Sequence, residues 1–409
     1  MAGRHLLVLN VHAYGHVLPT LVMVEELVRR GHRVTYVTSG QLAGPLERAG
    51  ATVLRYESRI PKIDPFEEVG DDVGRPLNLF LEENKAILDV AESALANVPA
   101  DLVLYDFAAL HSGRILAEKW SRPAVQLHPV FVHADQFAQY RCMFEDPERT
   151  GDETAGVLEY RDSVQKLLAE HGVARQAPEF MSAVEDLNLV FLPESFQPDA
   201  AELGDRFVFV GPCLGARDFL PDWRPPEPER PVVLISLGTV FNENPEFFRT
   251  CAQAFADGDW HVVMTLGDRL DPARLGTLPG NVEAFPWVRH ASVLEHAAVS
   301  VGQAGMGSTL ESLAHGRPVV AVPQSGTQEP IAERLFDLGL GTVIRPAELS
   351  AERIRAAVDE LAADRECLLR VRRTRREIED AGGAALAADA IEAHLERAGR
   401  AVASEPFTN

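Results

Sequence analysis

The sequence predicts an α/β protein with two domains, each built around a parallel sheet. Short apolar runs alternate with amphipathic helical patterns along almost all of the 409 residues, and such strand–helix–strand spacing is typical of parallel βαβ units. A segment rich in proline and charge, residues 213–231, interrupts the alternation once, which indicates an interdomain linker. The expected fold is therefore two Rossmann-like domains facing each other across a cleft, followed by C-terminal helices.

Each half has its own set of predicted elements. In the first half, helices are expected at residues 19–30 and 41–48, and strands at 5–11, 33–38, 52–56, 102–106, 124–127, 187–192 and 207–210. In the second half, strands are expected at 232–237, 261–266, 282–285, 299–302, 318–322 and 342–344, with helix from 350 to 400. The predicted domains are 1–212 and 232–400, with a loose tail at 401–409. Ligands are expected in the cleft, at the carboxyl ends of the strands.

Composition excludes several classes of function. The formal net charge is −22, which disfavours binding to nucleic acid or to an anionic membrane. The four cysteines form no C-x-x-C pair, and the N-terminus lacks the pattern of a signal peptide, so we expect a cytoplasmic protein. The H-E-x-x-H pattern is absent, and no constellation of ligands predicts a metal site. The first strand is not followed by G-x-G-x-x-G, which argues against a nicotinamide oxidoreductase.

The segment 299–328 contains the clearest binding motif, VSVGQAGMGSTLESLAHGRPVVAVPQSGTQ. Gly305 and Gly307 follow a buried strand and allow close approach of a ligand to the backbone. Ser308 and Thr309 stand at the expected start of a helix over residues 309–315, where free N–H groups and the helix dipole suit a diphosphate. Glu311 is a candidate to bind a ribose diol. The alternative is that the glycines only form a tight turn and Ser308 only caps the helix.

Several motifs in the right order resemble the bacterial family 1 glycosyltransferases of GT-B fold, in particular the macrolide and natural-product enzymes. They are HLLVLNVHAYGHVLPTLVMVEELVRRGHRVTYVT, VVLISLGTVF, NVEAFPWV and GQAGMGSTLESLAHGRPVVAVPQSGTQ. The resemblance covers nearly the whole chain. It implies an acceptor-binding N-terminal domain and a C-terminal domain that binds a nucleotide-sugar co-substrate, with no other cofactor.

The resemblance also implies roles for individual residues. Trp287 would stack on the nucleobase, the backbone of Val288 would bind its edge, and Glu311 would hold the ribose. For Trp287 alone, the alternative is a core aromatic. The diphosphate would be held by Ser236, Thr239, Gly307, Ser308 and Thr309. The donor sugar would be faced by Thr327 and Gln328.

Three positions depart from the family pattern. Tyr14 stands where the catalytic histidine is usual, although Asp106 matches its aspartate partner. Gln303 replaces a phosphate-contacting histidine, and an amide cannot carry positive charge. Thr327 replaces an acidic residue that binds sugar hydroxyls, which is compatible with a deoxysugar.

The catalytic base is therefore open. His12, oriented by Asp106, is the first candidate, because imidazole titrates near neutrality; the alternative is a structural histidine. Tyr14 is either a binding group or a poor base, and His16 is expected to be a structural contact. Three further histidines are candidates to line an acceptor pocket: His111, His128 and His133.

These observations predict an inverting, metal-independent glycosyltransferase. The expected donor is a dTDP-linked deoxysugar, the expected acceptor is a small lipophilic natural product, and a homodimer is possible. The alternative from another class is a catalytically impaired homologue that acts as a binding or helper protein. The loss of the usual base and of the phosphate histidine motivates it. An epimerase of nucleotide sugars on the same fold is a weaker reading.

Overall fold

The structure is a computed structural model that describes residues 3–60, 74–133, 135–136, 143–144, 154–215, 220–239 and 242–404. The chain divides into two compact units. Unit 1 comprises Met1–Cys213 together with Ala381–Asn409, and unit 2 comprises Leu214–Asp380. Each unit contains one parallel sheet with helices packed against it.

Unit 1 contains a seven-stranded sheet in the order β3-β2-β1-β4-β5-β6-β7. Its strands are β1 His5–Leu9, β2 Arg33–Thr38, β3 Thr52–Arg55, β4 Leu102–Asp106, β5 Ala124–His128, β6 Asn188–Val190 and β7 Phe207–Phe209. Its helices are α1 Tyr14–Arg29, α2 Ala43–Arg48, α3 Gly74–Leu95, α4 Leu110–Trp120, α5 Ala155–Glu170, α6 Ala177–Ser182 and α13 Gly383–Ser404. All seven strands predicted in this half are confirmed.

The first helix differs from its prediction. α1 begins at Tyr14, five residues earlier than expected, and it contains Pro19. Proline lacks the N–H that would bond one turn back, which is why the pattern placed it at the helix start. Burial of Val17, Leu21 and Val24 against the sheet holds the extra turn in place, because tertiary packing outweighs local propensity.

Unit 2 contains a six-stranded sheet in the order β10-β9-β8-β11-β12-β13. Its strands are β8 Val232–Ser236, β9 His261–Thr265, β10 Val282–Phe285, β11 Ala297–Gly302, β12 Val319–Ala321 and β13 Gly341–Val343. Its helices are α7 Pro245–Ala254, α8 His290–Leu294, α9 Met306–Ala314, α10 Glu329–Asp337, α11 Ala351–Ala363 and α12 Arg365–Asp380. The six strands predicted here are confirmed as well.

The last helix corrects the predicted domain boundary. Residues up to 400 were expected in the second domain, but α13 packs on unit 1, where Ala387 and Ile391 are fully buried in the same cluster as Leu6 of β1. Arg30 of α1 also pairs with Glu392 at 2.8 Å. A helical pattern shows that a helix has an apolar stripe, but not which sheet that stripe covers. The predicted tail is also shorter, because α13 continues to Ser404, and residues 405–409 lie outside the described residues.

The predicted linker is also more ordered than its composition suggests. Trp223 is buried in a cluster of unit 2, its backbone N–H donates to Ser292 Oγ at 3.0 Å, and its indole N–H donates to Glu283 Oε1 at 3.1 Å. The side chain of Trp223 therefore anchors a segment whose prolines and charges predict a flexible linker.

Candidate active site

The strands of unit 2 end in register at one edge of the sheet. Phe285 pairs with Thr265, Thr265 with Ser236, Ser236 with Gly302, and Gly302 with Ala321. The residues that follow these strand ends therefore leave from the same edge. The predicted donor residues at or after them are Ser236, Thr239, Trp287, Val288, Gln303, Gly305, Gly307, Ser308, Thr309, Glu311, Thr327 and Gln328.

The turn from β11 into α9 presents backbone N–H groups that have no acceptor among the described residues. Ala304 has a left-handed φ of 61°, which is uncommon for a residue with a side chain. Gly305 is the N-cap, and α9 begins at Met306, three residues earlier than predicted. The first bond back into the helix runs from the Thr309 N–H to the Gly305 carbonyl, at 3.0 Å. The N–H groups before it point out of the helix end, which is the arrangement that binds anions.

None of the described residues outside α9 fills the space beside Gly307. A Cβ built on Gly307 meets no heavy atom within 4 Å outside its own helix. The Ser308 hydroxyl donates back to the Gly305 carbonyl at 3.1 Å, so Ser308 is not the N-cap. Thr309 is 2% exposed and its hydroxyl oxygen has no hydrogen-bond partner among the described residues.

Gln303 lies over the turn that follows β8. Its side-chain nitrogen is 2.6 Å from the position of a Cβ on Gly238, whose φ is +67°, so only glycine fits there. The Ser236 hydroxyl accepts the Gly238 N–H at 3.2 Å, which fixes the same turn next to the half-buried Thr239. The buried amide oxygen of Gln303 has no partner among the described residues.

Glu311 lies near a histidine that the sequence did not single out. Glu311 is 5% exposed, and His290 Nδ1 lies 3.9 Å from its Oε2. His290 Nε2 lies 3.1 Å from Thr265 Oγ1 at the end of β9. The signal available in the sequence was the position of His290, three residues after Trp287 and at the start of a short helix.

Trp287 and Val288 face different surroundings. Trp287 is partly exposed, and its indole N–H donates to Asp268. The core alternative therefore does not describe Trp287, and one edge of its ring is fixed. Val288 is 2% exposed and belongs to the cluster around Trp223, so its side chain is a core residue. Only its backbone is a candidate to contact a base.

Gln328 has a fixed amide orientation. Its oxygen accepts the backbone N–H groups of Gln324 and Ser325, at 2.7 and 3.3 Å. The amide nitrogen must therefore point the other way, and it makes no hydrogen bond to a described residue. Thr327 is exposed, and its hydroxyl lies 2.9 Å from the Ser325 hydroxyl.

The edge of the sheet in unit 1 contains a histidine–aspartate pair. Asp106 is fully buried at the end of β4, and its Oδ1 accepts both His16 Nδ1 and the Ala108 N–H at 2.9 Å. The ring of Phe107 stacks on the imidazole of His16 with a centroid distance of 5.5 Å. Burial alone lowers the pKa of His16, but the charge and hydrogen bond of Asp106 outweigh it and leave the pKa raised above 6.5.

This pair corrects the predicted pairing of Asp106 with His12. Because α1 begins at Tyr14, residue 16 lies in its first turn and reaches β4, whereas residue 12 precedes the helix. The His12 ring lies against Gly40, where a Cβ would come within 2.4 Å of it. Tyr14, the other predicted catalytic residue, is half-buried against the hydrophobic cluster beneath α1.

Buried polar atoms without hydrogen-bond partners collect at this edge. Among the described residues, they belong to the ends of four neighbouring strands: Asn10 Oδ1, His12 Nδ1, Thr38 Oγ1, Asp106 Oδ2 and His128 Nε2. Such atoms cost about 1–3 kcal/mol each if nothing pairs with them. Their concentration here marks a polar site.

The three histidines predicted to line an acceptor pocket have different surroundings. Burial lowers the pKa of His128 to about 4 and that of His111 to about 3, so both are neutral at pH 7. His111 is bonded to Tyr160 at 2.9 Å between α4 and α5, which makes it a core residue and not part of a pocket wall. His133 is exposed. Within the described parts of the chain, no group of three or more His, Cys, Asp or Glu is arranged to hold a metal ion.

Comparisons with known proteins identify the family. The model for "Erythromycin biosynthesis protein CIII-like, C-terminal domain" matches residues 249–381. NDP-glycosyltransferase YjiC of Bacillus subtilis (strain 168) is 35% identical over 401 residues, which cover 97% of this chain and 99% of that protein. The chain belongs to the macrolide and natural-product glycosyltransferase family. Demethyllactenocin mycarosyltransferase of Streptomyces fradiae is 34% identical, covering 96% of this glycosyltransferase and 86% of the relative.

A solved structure supports the same conclusion for the fold. The crystal structure of CalG4, the calicheamicin glycosyltransferase, matches this glycosyltransferase with a TM-score of 0.83 and 44% identity, covering 97% of this chain and 99% of that one. The predictions of family, enzyme class and GT-B fold are confirmed. None of the described helices of the glycosyltransferase has the length and hydropathy needed to cross a bilayer.

Proposed function

We propose that this glycosyltransferase moves a deoxysugar from a dTDP-linked donor to a hydroxyl of a small lipophilic acceptor, with inversion and without a divalent metal. The observation that carries the proposal is the N-terminus of α9, where the backbone N–H groups before Thr309 have no acceptor among the described residues and a Cβ on Gly307 would meet none of them outside the helix within 4 Å. A sugar diphosphate matches this site because it is anionic and its terminal phosphate becomes more negative as the sugar leaves.

The diphosphate is proposed to lie between two turns. One is the start of α9, and the other follows β8, where Ser236 and Thr239 stand. Gln303 lies between them against Gly238, where it can donate an amide hydrogen bond but add no charge. The helix dipole then supplies the positive potential that a histidine or a metal ion would otherwise provide.

The nucleoside is proposed to lie against Trp287. Its indole is partly exposed and held by Asp268, and a preordered aromatic face gains stacking energy at little entropic cost. The backbone of Val288 follows directly and suits the edge of a pyrimidine. Glu311, held near His290, accepts hydrogen bonds from the ribose. dTDP is proposed as the nucleotide because of the resemblance to natural-product enzymes.

The sugar is proposed to contact the loop before α10. The amide nitrogen of Gln328 points away from the loop because its oxygen is bound to Gln324, so it is a donor for a sugar oxygen. Thr327 offers a hydroxyl in place of a carboxylate. A sugar with fewer hydroxyls leaves fewer groups unpaired at such a site, which favours a deoxysugar.

His16 is proposed as the base in place of His12. With Asp106 accepting from Nδ1, the free lone pair of the neutral ring is on Nε2. The acceptor hydroxyl gives its proton to Nε2, and its oxygen bonds to the anomeric carbon as the bond from that carbon to the diphosphate oxygen breaks. A single displacement inverts the anomeric centre, and the diphosphate leaves with the electron pair.

The pair of His16 and Asp106 also favours catalysis over a helper role. A helper protein has no need for a buried carboxylate whose main partner is a partly exposed imidazole. The side chain of His16 is 22% exposed, whereas that of Asp106 is fully buried. Among the described residues outside α9, no side chain comes within 4 Å of a Cβ built on Gly307 either.

Calorimetric titration tests the donor site. We expect dTDP to bind with EDTA present, more tightly than UDP, and binding to weaken at least about tenfold in Trp287→Ala and in Glu311→Gln, as loss of one stacked ring or charged hydrogen bond predicts. The control is Glu366→Gln, an exposed residue of α12, which should bind like wild type. Absence of binding to either nucleotide in wild type contradicts the proposal and favours the helper protein.

A further inference from the structure

A buried carboxylate on α3, far from the donor residues in the sequence, collects hydrogen bonds from one short segment. Glu83 is 0% exposed. Its Oε1 accepts the Tyr56 hydroxyl at 2.6 Å and the Ser58 hydroxyl at 2.8 Å, and its Oε2 accepts the backbone N–H groups of Arg59 and Ile60 at 2.5 and 3.2 Å. All four donors lie in residues 56–60, directly after β3.

The charge of Glu83 has no cationic partner among the described residues. A carboxylate without a counter-ion is costly to bury, and here neutral donors alone compensate it. Four donors match the acceptor capacity of a carboxylate, which has no hydrogen to donate. Burial raises the pKa of Tyr56, and the charge of Glu83 raises it further, so the phenol stays protonated and remains a donor.

Tyr56 extends the network to a second loop. Its hydroxyl oxygen accepts the backbone N–H of His12 at 3.1 Å while its hydrogen goes to Glu83. His12 lies in the loop between β1 and α1, two residues before the helix that presents His16. One carboxylate therefore fixes two of the loops at the carboxyl edge of the sheet in unit 1.

The next residue along α3 holds a third connection. The Asn84 amide donates to the Ala108 carbonyl at 2.8 Å, and its oxygen accepts the N–H of Ser112 at 3.0 Å. Ala108 is the residue whose N–H binds Asp106. Two adjacent buried polar side chains of α3 thus connect to three loops around the pair of His16 and Asp106.

We infer that Glu83 is a positioning residue for the acceptor: it fixes residues 56–60 and the loop at His12 in the arrangement that receives the acceptor beside His16. The inference rests on the proposed function, since it assigns the acceptor to this edge. Glu83 itself contacts no substrate. Its effect therefore falls on acceptor binding and leaves the donor site in unit 2 unchanged.

The test compares Glu83→Gln with Glu82→Gln, its exposed neighbour, which pairs with Lys85 on the surface. Glutamine has the size of glutamate but only one acceptor oxygen, and its NH₂ group would face N–H and O–H donors. Some of the four donors in residues 56–60 therefore lose their acceptor. We expect hydrogen exchange in peptides covering residues 8–14 and 56–60 to accelerate about tenfold in E83Q, which corresponds to the loss of one hydrogen bond to a charged group. E82Q should exchange like wild type.

Kinetics separate positioning from general damage. With 4-methylumbelliferone as acceptor and dTDP-rhamnose, a 6-deoxysugar nucleotide, as donor, E83Q should raise the acceptor KM about tenfold or more, with kcat within about threefold and the Kd of dTDP unchanged. Tyr56→Phe keeps the bonds of Glu83 to residues 58–60 and should accelerate exchange only at residues 8–14. It is the second variant should E83Q fold poorly.

Two results would overturn the inference. One is exchange in E83Q and Tyr56→Phe that matches wild type at both segments, and the other is a donor Kd that rises together with the acceptor KM. Exchange needs neither substrate nor turnover, so failure of the proposed function would be seen separately, as wild-type protein that neither binds dTDP nor transfers sugar.

Discussion

Replacement of Asp106 by asparagine removes the charge beside His16 with little change in size. In the native protein, burial lowers the pKa of His16, and the charge and hydrogen bond of Asp106 raise it by more, so that the pKa lies above 6.5. In Asp106→Asn the charge is lost and the burial remains. We therefore expect the pKa of His16 to cross from above 6.5 to below it.

The sign of the effect on rate follows from the role of the base. Only neutral His16 accepts a proton, so kcat/KM should rise with pH through its pKa. The acidic limb of the wild-type profile should lie above pH 6.5, and that of Asp106→Asn below it. Each unit of displacement corresponds to about 1.4 kcal/mol. On the plateau the variant should still be slower by about 10²-fold, because asparagine does not fix the tautomer or stabilise the imidazolium.

The assay is the initial rate between pH 5 and 9, with an aliphatic alcohol as acceptor. The hydroxyl of such an acceptor does not ionise in this range, so the acidic limb of the profile reports the ionisation of a group in the protein. Two further variants assign the base: His16→Ala should abolish the limb, whereas His12→Ala should retain it. An identical limb in wild type and Asp106→Asn, or loss of the limb in His12→Ala alone, would refute the assignment of His16.

Two further predictions concern the α9 turn and stability in acid. Gly307→Ala should weaken dTDP binding at least about tenfold by filling the space in front of the turn, while the melting temperature stays the same or rises, because alanine stabilises helices by up to about 1 kcal/mol relative to glycine. Gly399→Ala, in another helical site with no atom within 4 Å, should leave binding unchanged; equal binding in both variants contradicts the diphosphate site. Separately, urea titrations should show that the free energy of unfolding falls as the pH drops from 7 to 5. The pKa of His111 is lowered to about 3 and that of His128 to about 4, so both rings bind protons in this range only when the protein unfolds. Each should lower the free energy of unfolding by about 2 kcal/mol. His16 has a raised pKa, so its contribution to stability grows only as the pH falls towards 6.5 and is constant below that pH. Stability that does not change between pH 6.5 and 5 would therefore show that His111 and His128 are not buried as neutral rings.

The fold could be predicted almost completely because its signals are local. A parallel strand buried on both faces is a continuous apolar run, as in β1 and β8, and the helices between strands carry a 3.6-residue period. The errors came from tertiary partners. The apolar stripe of α13 was visible, but nothing local showed that it covers the sheet of unit 1. Trp223 was likewise hidden by the prolines and charges around it.

The part of the site that could be predicted is the part whose backbone conformation is specified by a single local motif. Gly305 and Gly307 indicated a strand, a turn and a helix start, and the structure contains all three. The base could not be chosen in this way, because it depends on whether residue 12 or residue 16 reaches a strand 90 residues further along the chain. That choice follows from the first residue of α1, and helix starts are poorly determined by sequence when packing extends them past a proline.

Among the described residues, the two units leave different kinds of polar groups unpaired, and the difference matches the two halves of the proposed glycosyl transfer. At the edge of unit 1 they are side-chain atoms, among them Asp106 Oδ2 and His12 Nδ1, next to the imidazole of His16, whose pKa Asp106 raises against the effect of burial. At the start of α9 they are mainly backbone N–H groups, which keep the same charge at every pH and need no reorganisation when charge develops on a diphosphate. Proton transfer requires a group that titrates, whereas stabilisation of a leaving group requires one that does not. Under the proposed function, the same division accounts for Gln303 at the α9 turn: an uncharged amide there adds no cation but leaves the helix N-terminus, and with it the main source of positive potential, intact.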